Sequence, residues 1–184
     1  MGDVEDVDLV QRARQGDGAA FGALVRPHVP AALRLARAIT TSPTDAEDAV
    51  QEGLLRAYAN LHRFDTASPV RPWLLRIVAN AAKNDRRSGA RRDRVTQRAG
   101  EMRIAMPADP QDRTVAVSEA DVVLAALRRL DHRDRLVLAY RYFGGLGEAE
   151  TAAALGWPVG PVKSRHARAL ERLRAQLGSE VLDG

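Results

Sequence analysis

The 184-residue chain contains no cysteine. That absence excludes disulfides and thiolate metal sites, and it allows a reducing compartment. Aromatic residues are scarce at 4%, so a core must be built mainly from Leu, Val and Ala. No apolar run approaches the roughly 20 residues that span a bilayer. The acidic start (Asp3, Glu5, Asp6, Asp8) lacks the charged-then-apolar order of a signal peptide. A cytoplasmic protein without membrane insertion is expected. The few histidines (His28, His62, His132, His166) are scattered, and none stands in a metal-ligand spacing. Gly-rich phosphate loops and Gly-x-Ser-x-Gly elbows are missing too. Neither a catalytic centre nor a cofactor is therefore expected. Alternating runs are almost absent, whereas 3.6-residue periods recur, which argues for an all-α fold.

What is present is divided by charge. The net charge is only +4, but acid gathers at the N-terminus and from Asp45 to Glu52, and base gathers from Lys83 to Arg94 and from Lys163 to Arg174. Separated patches imply two kinds of partner. The periodicity predicts a short helix over 7–15, broken at Gly16-Asp17, with Asp17 capping the next helix. A bend follows around His28 to Pro30, then a helix over 31–39. Ser42-Pro43-Thr44-Asp45 is a helix start, with a capping serine and proline in the first turn. The helix from Pro43 to about Leu61 buries Ala46, Val50, Leu54, Ala57 and Leu61. Its other face shows Glu47, Asp48, Gln51, Glu52 and Arg56. Carboxylates near a helix start favour the macrodipole, which explains Asp45, Glu47 and Asp48 but not Gln51, Glu52 and Leu55.

A loop from Phe64 to Pro72 leads into a helical segment over 73–87. Leu74, Ile77, Val78 and Ala81 form its apolar stripe. Arg76, Asn80, Lys83, Asn84 and Arg87 share another face at spacings of three and four. That face holds amides and cations with almost no carboxylate. Amides can read base edges and cations can neutralise phosphate; an ordinary solvated face has the same composition, and the two stay open on this segment alone. Residues 97–115 contain Gly100, Pro107 and Pro110 without a sustained period, as in an inter-domain linker. Ser118 and Asp131 are expected caps of two further helices, and Gly144-Gly145 ends the second. A short Ala-rich helix, a turn at Gly156-Trp157-Pro158 and a final basic helix opening at Gly160-Pro161 make a helix-turn-helix pattern.

Four stretches together resemble the bacterial RNA polymerase sigma factors of the extracytoplasmic-function type, in the sigma-70 family. Leu9-Val10 through Gln15-Gly16-Asp17 to Ala20-Phe21 resembles the start of region 2. Asp45 to Glu52 is similar to the clamp-binding helix. Arg71-Pro72-Trp73-Leu74 with Arg76-Ile77-Val78-Ala79-Asn80 resembles the promoter-melting helix. Pro158 to Arg165 with Arg168-Ala169 resembles the recognition helix of region 4. The resemblance implies two small helical domains, region 2 over 1–94 and region 4 over 116–184, joined by a flexible linker over 95–115. It implies a factor that makes and breaks no bond, binds core RNA polymerase at the β′ clamp helices and the β flap, and directs initiation at promoter DNA. Control by an anti-sigma factor is implied as well.

The family roles transfer to particular positions. Asp48, Gln51, Glu52 and Leu55 would dock on polymerase. Phe64, Asp65, Arg71, Trp73, Arg76, Asn80, Lys83, Asn84 and Arg87 would meet the −10 element, with Phe64, Asp65 and Asn80 capturing an unstacked base. Trp73 could stack on DNA or belong to the core. Lys163, Ser164, Ala167 and Arg168 would face the −35 bases, with Arg165 and Arg172 in phosphate or structural roles. The chain departs from the family at Pro161, Gly147, Thr151, His166, Ala167 and Asp131, which leaves the −35 sequence open. Thr151 and His166 stand at normally apolar positions, and His166 is expected to be a buried or half-buried histidine within the core rather than a pH switch. The alternative class is a stand-alone helix-turn-helix regulator, which would need neither the acidic helix nor the Asn/Arg face.

Overall fold

The computed structural model describes residues 4–84 and 119–182, and every regular element among them is helical. Helix α1 (Val4–Arg14) turns at Gly16 into α2 (Gly18–Val25), where the Asp17 side chain accepts from the Ala20 N–H. A 3-10 turn, Arg26–His28, leads into α3 (Val29–Ile39). Ser42 caps α4 (Pro43–Ala59) by accepting from the Asp45 N–H. A 3-10 turn at Leu61–Arg63 precedes α5 (Val70–Asn84). The expected caps at Asp17 and Ser42 and the bend at His28 are all present. Helix α5 starts earlier than the sequence suggests, because Pro72 fits the first turn of a helix, where its missing N–H leaves no bond unmade.

Helices α4 and α5 make the most extensive contact in the molecule, and α3 packs on both. Gly53 sets their separation. A Cβ built there would lie 2.6 Å from Val78 Cγ2 and 2.9 Å from its Cα. Glycine inside a helix costs about 1 kcal/mol relative to alanine, and here it lets two backbones approach. Ala46, Val50, Leu54, Ala57 and Leu61 are all buried as their periodicity predicts.

The C-terminal half contains α6 (Glu119–Arg129), α7 (His132–Leu138), α8 (Glu148–Leu155) and α9 (Val159–Leu182). Asp131 caps α7 by accepting from the N–H groups of Arg133 (2.8 Å) and Asp134 (3.1 Å). The end of α7 widens into a π turn, Ala139–Phe143, that stops at Gly144 and Gly145. Helix α9 begins at Val159, just ahead of Gly160-Pro161. Ser118, Asn84's side chain, Arg87 and the expected linker over 95–115 lie outside the described residues or side chains.

The two halves are not held apart. The π turn, α6 and α7 pack on α3, and α8 packs on α5. Leu75 of α5 and Tyr140 of the π turn belong to one continuous apolar core. Two guanidiniums cross the seam to backbone carbonyls: Arg71 Nη2 donates to Gly144 O at 2.6 Å, and Arg128 Nε donates to Thr40 O at 3.1 Å. A Cβ on Gly144 would meet the Tyr140 carbonyl at 2.8 Å and Leu75 Cδ1 at 3.2 Å. Thr151 is fully buried, and among the described residues its hydroxyl has no hydrogen-bond partner.

The Gly53 contact is open to direct test. Gly53→Ala should destabilise the protein by about 1–3 kcal/mol through overpacking against Val78, read by urea unfolding. A gain in stability would show that helix propensity outweighs the contact.

Candidate polymerase and nucleic-acid interfaces

Three helix faces remain to be matched to the expected chemistry. On α4, Asp48, Gln51, Glu52 and Leu55 follow one another at spacings of three and four, which places them on one side. Gln51 is exposed and the other three are half-buried. Glu52 pairs with Arg56, Nε to Oε1 at 2.6 Å. The side is acidic and amide-bearing, with Leu55 supplying apolar surface. Among the described residues no contact of several residue pairs joins α4 to the C-terminal half.

On α5 the solvent side is narrow. Arg76 and Asn80 are exposed, Trp73 and Lys83 are half-buried, and burial pushes the Lys83 pKa down. Phe64 is not an open pocket wall, contrary to expectation. It is 5% exposed, and its ring centre lies 4.6 Å from that of Trp73. The loop after α4 folds onto α1 beside Val7 and Val10, so its one large apolar side chain is drawn inward as an anchor. Trp73 stands outside it, toward Arg76 and Asn80. Asp65 orders its own turn, accepting from the Ala67 N–H at 3.0 Å and the Ser68 hydroxyl at 3.3 Å. Arg71 is also placed differently from expectation. Its guanidinium is bound to Gly144 O across the seam, so in this arrangement it is a domain contact.

Sequence inspection missed Arg14. Its Nε donates to Leu61 O at 3.2 Å and its Nη2 to Phe64 O, tying α1 to the loop. A guanidinium bound to carbonyls 47 and 50 residues away leaves no local pattern to find.

On α9 the two sides are sharply different. Val162 and Ala169 are buried, and Val162 joins Val137 and Ala152 in a small core with Leu155 and Trp157 against it. Asp134 of α7 is 1% exposed and takes two cations from α9: Arg165 Nη1 at 2.6 Å, and Arg172. Arg165 also approaches Asp131 at 3.5 Å. Both arginines are thus turned to carboxylates and do not join the base-facing set. Asp134 is the residue that sequence reasoning missed here, since its partners lie 31 and 38 residues away. Lys163, Ser164, Ala167 and Arg168 are all exposed on the other side. His166 is half-buried, as expected, though not in the core. Its Nε2 lies 3.2 Å from the Tyr142 hydroxyl, and burial lowers its pKa. Among the described residues no cluster of ligating side chains could hold a metal ion, and no helix is long and apolar enough to cross a membrane.

The acidic and amide face of α4, the amide and cation strip of α5 and a helix-turn-helix with a polarised second helix lie in the order that the resemblance to sigma regions 2 and 4 implies. Residues 24–92 match the family described as Sigma-70 region 2, and residues 126–175 match Sigma-70, region 4. The chain is 34% identical to the RNA polymerase sigma factor NccH of Alcaligenes xylosoxydans xylosoxydans over 95% of each protein. It is 36% identical to the ECF RNA polymerase sigma factor SigM of Mycobacterium tuberculosis, over 94% of this chain and 85% of the relative. The structure of CnrH in complex with the cytosolic domain of CnrY matches with a TM-score of 0.70 at 30% identity, covering 95% of this chain and 98% of that one. The chain belongs to the extracytoplasmic-function RNA polymerase sigma factors. It is accordingly a non-enzymatic initiation factor that binds core RNA polymerase and promoter DNA.

The Asp134 cluster should carry much of the fixation of α9. Asp134→Ala leaves two cations without their acceptor and should cost about 3 kcal/mol. Arg172→Ala, at a side chain 59% exposed, should cost no more than about 1 kcal/mol. Thermal unfolding of both variants checks this, and equal losses would mean that Asp134 contributes little beyond its pair with Arg172.

Proposed function

We propose that this sigma factor assigns its three faces to three tasks. Asp48, Gln51, Glu52 and Leu55 dock on the β′ clamp helices, where an acidic and amide side suits a basic partner. The C-terminal half also engages the β flap. The outward strip of α5, Trp73, Arg76, Asn80 and Lys83, holds the −10 strand open, with Asn84 and Arg87 continuing it. Phe64 supports Trp73 from behind, Asp65 shapes the adjoining turn, and Arg71 becomes available when the seam opens. Lys163, Ser164, Ala167 and Arg168 read the −35 duplex, and Arg165 and Arg172 hold the helix from behind. Region 2 over 1–94 and region 4 over 116–184 are the functional units, with 95–115 as the linker.

The single observation that supports this most directly is the polarity of α9. Its inward cations are satisfied by one buried acid, which leaves an outward face free at the start of the helix, where a recognition helix meets base edges. The resemblance to CnrH, solved with CnrY, and to the sigma factor RpoE, solved with the anti-sigma factor NepR of Bartonella quintana (25% identity, TM-score 0.65), supports control by an anti-sigma factor. Action of this kind belongs in the cytoplasm.

Transcription in vitro with purified core polymerase tests the assignment. Promoter-specific initiation should appear on adding the chain; duplex binding without initiation would instead support a stand-alone regulator. Arg168→Ala should relax −35 preference by about 1–3 kcal/mol. An equal loss on matched and mismatched promoters would make Arg168 a phosphate contact. Asn80→Ala should spare polymerase binding and lower open-complex formation about tenfold, the scale of one base-edge contact. Loss of both activities together would make Asn80 structural.

A further inference from the structure

One cation at the head of α9 belongs neither to the outward set nor to the Asp134 cluster. Arg133 is exposed in the first turn of α7. Its guanidinium carbon lies 6.0 Å from the centre of the Trp157 ring. Trp157 sits in the turn between α8 and α9, half-buried against the small core of Val137, Ala152 and Val162. The ring is therefore anchored from below, and the arginine lies across its open side.

The start of α7 is fixed beside the start of α9 by the contacts of Arg165 with Asp131 and Asp134. On a helix of about 100° per residue, Arg168 lies about 60° round from Arg165. The place where α7 meets α9 thus borders the outward face that carries Ser164 and Arg168. Arg133 adds an exposed cation beside the turn that opens α9.

We propose that Arg133 is a further DNA contact of this protein, a sequence-blind phosphate clamp at the edge of the −35 groove that Trp157 holds in position. The proposal rests on the assignment of the outward face of α9 to duplex DNA. At 6.0 Å the guanidinium is at the outer range of a cation–π contact with the indole, and its five N–H donors stay available to other acceptors. Phosphate oxygens are the acceptors that suit such donors. The contact also limits the rotamers of a long side chain before DNA arrives, so less freedom is lost on binding.

The test uses holoenzyme, the full chain with core polymerase, on two duplexes. One is selected from a random library by the wild-type holoenzyme, and the other has unselected sequence. Affinity is followed from about 50 to 200 mM salt. Arg133→Gln should weaken binding by the same factor on both duplexes and reduce the slope of log affinity against log salt by about 0.9, the value of one neutralised phosphate. Arg133→Lys should keep the slope. Trp157→Leu should keep the slope while weakening binding about two- to fivefold, the scale of an exposed cation–π contact. Lys163→Ala is the control for the α9 face. An unchanged slope for Arg133→Gln beside a reduced one for Lys163→Ala overturns the clamp and leaves the α9 assignment standing. Unchanged slopes in both overturn the assignment of the face itself. A loss with Arg133→Gln confined to the selected duplex would make Arg133 a base reader, which also overturns the proposal.

Discussion

Burial of α5 on two sides governs the arrangement of this molecule. One side closes on α4, where Gly53 removes the Cβ that would strike Val78. Another meets the C-terminal half, where Leu75 lies against Gly144 and Arg71 reaches its carbonyl. A helix on the surface of a globular domain commonly buries a stripe of about 100° or a little more. Here Leu74, Leu75, Val78, Ala79, Ala81 and Ala82 are all buried, which at about 100° per residue spans about 160° of the circumference. The part left to solvent is a strip bearing Trp73, Arg76, Asn80 and Lys83. The functional surface of α5 is therefore what remains after two packing demands are met.

Much of this was legible in the chain. Caps are local, so Asp17, Ser42 and Asp131 could be recognised from the residues that follow them. The inward residues of α4 recur at the helical period, and the bend at His28 to Pro30 coincides with prolines. What stayed hidden was non-local. Asp134 looks like one more acid in a charged helix until folding brings Arg165 and Arg172 to it. Arg71 and Arg14 bond to carbonyls, which every residue possesses and none advertises. Phe64 carried the right chemistry for a base pocket, but the loop needed an apolar anchor and it was the aromatic at hand. The composition of α5 beyond its obvious stripe, mostly alanine with Leu75, reads as neutral in sequence and proves to be the seam between halves.

Charge is sorted by what each helix must approach. Among the described residues α4 makes no contact of several residue pairs with the C-terminal half, and its Glu52–Arg56 pair retains a half-buried carboxylate. On α9 the two inward cations are balanced by Asp134 and Asp131 together, so they add little field where bases would lie. The outward cations have phosphate as their natural counter-charge. A modest net charge of +4 thus coexists with local fields of opposite sign on different helices.

The two-sidedness of α9 has a consequence for how such a protein can change. Val162, Arg165, Ala169 and Arg172 hold the helix, while Lys163, Ser164, Ala167 and Arg168 face away from every buried contact described. Substitutions that share no partner combine almost additively. Under the −35 role proposed for the outward face, new target sequences can accordingly be explored there with little penalty to folding. Asp134 and its partners Arg165 and Arg172 share contacts, so changes among them do not combine additively. The helix separates heritable stability from heritable preference, and retargeting by a few point changes is a property of its geometry.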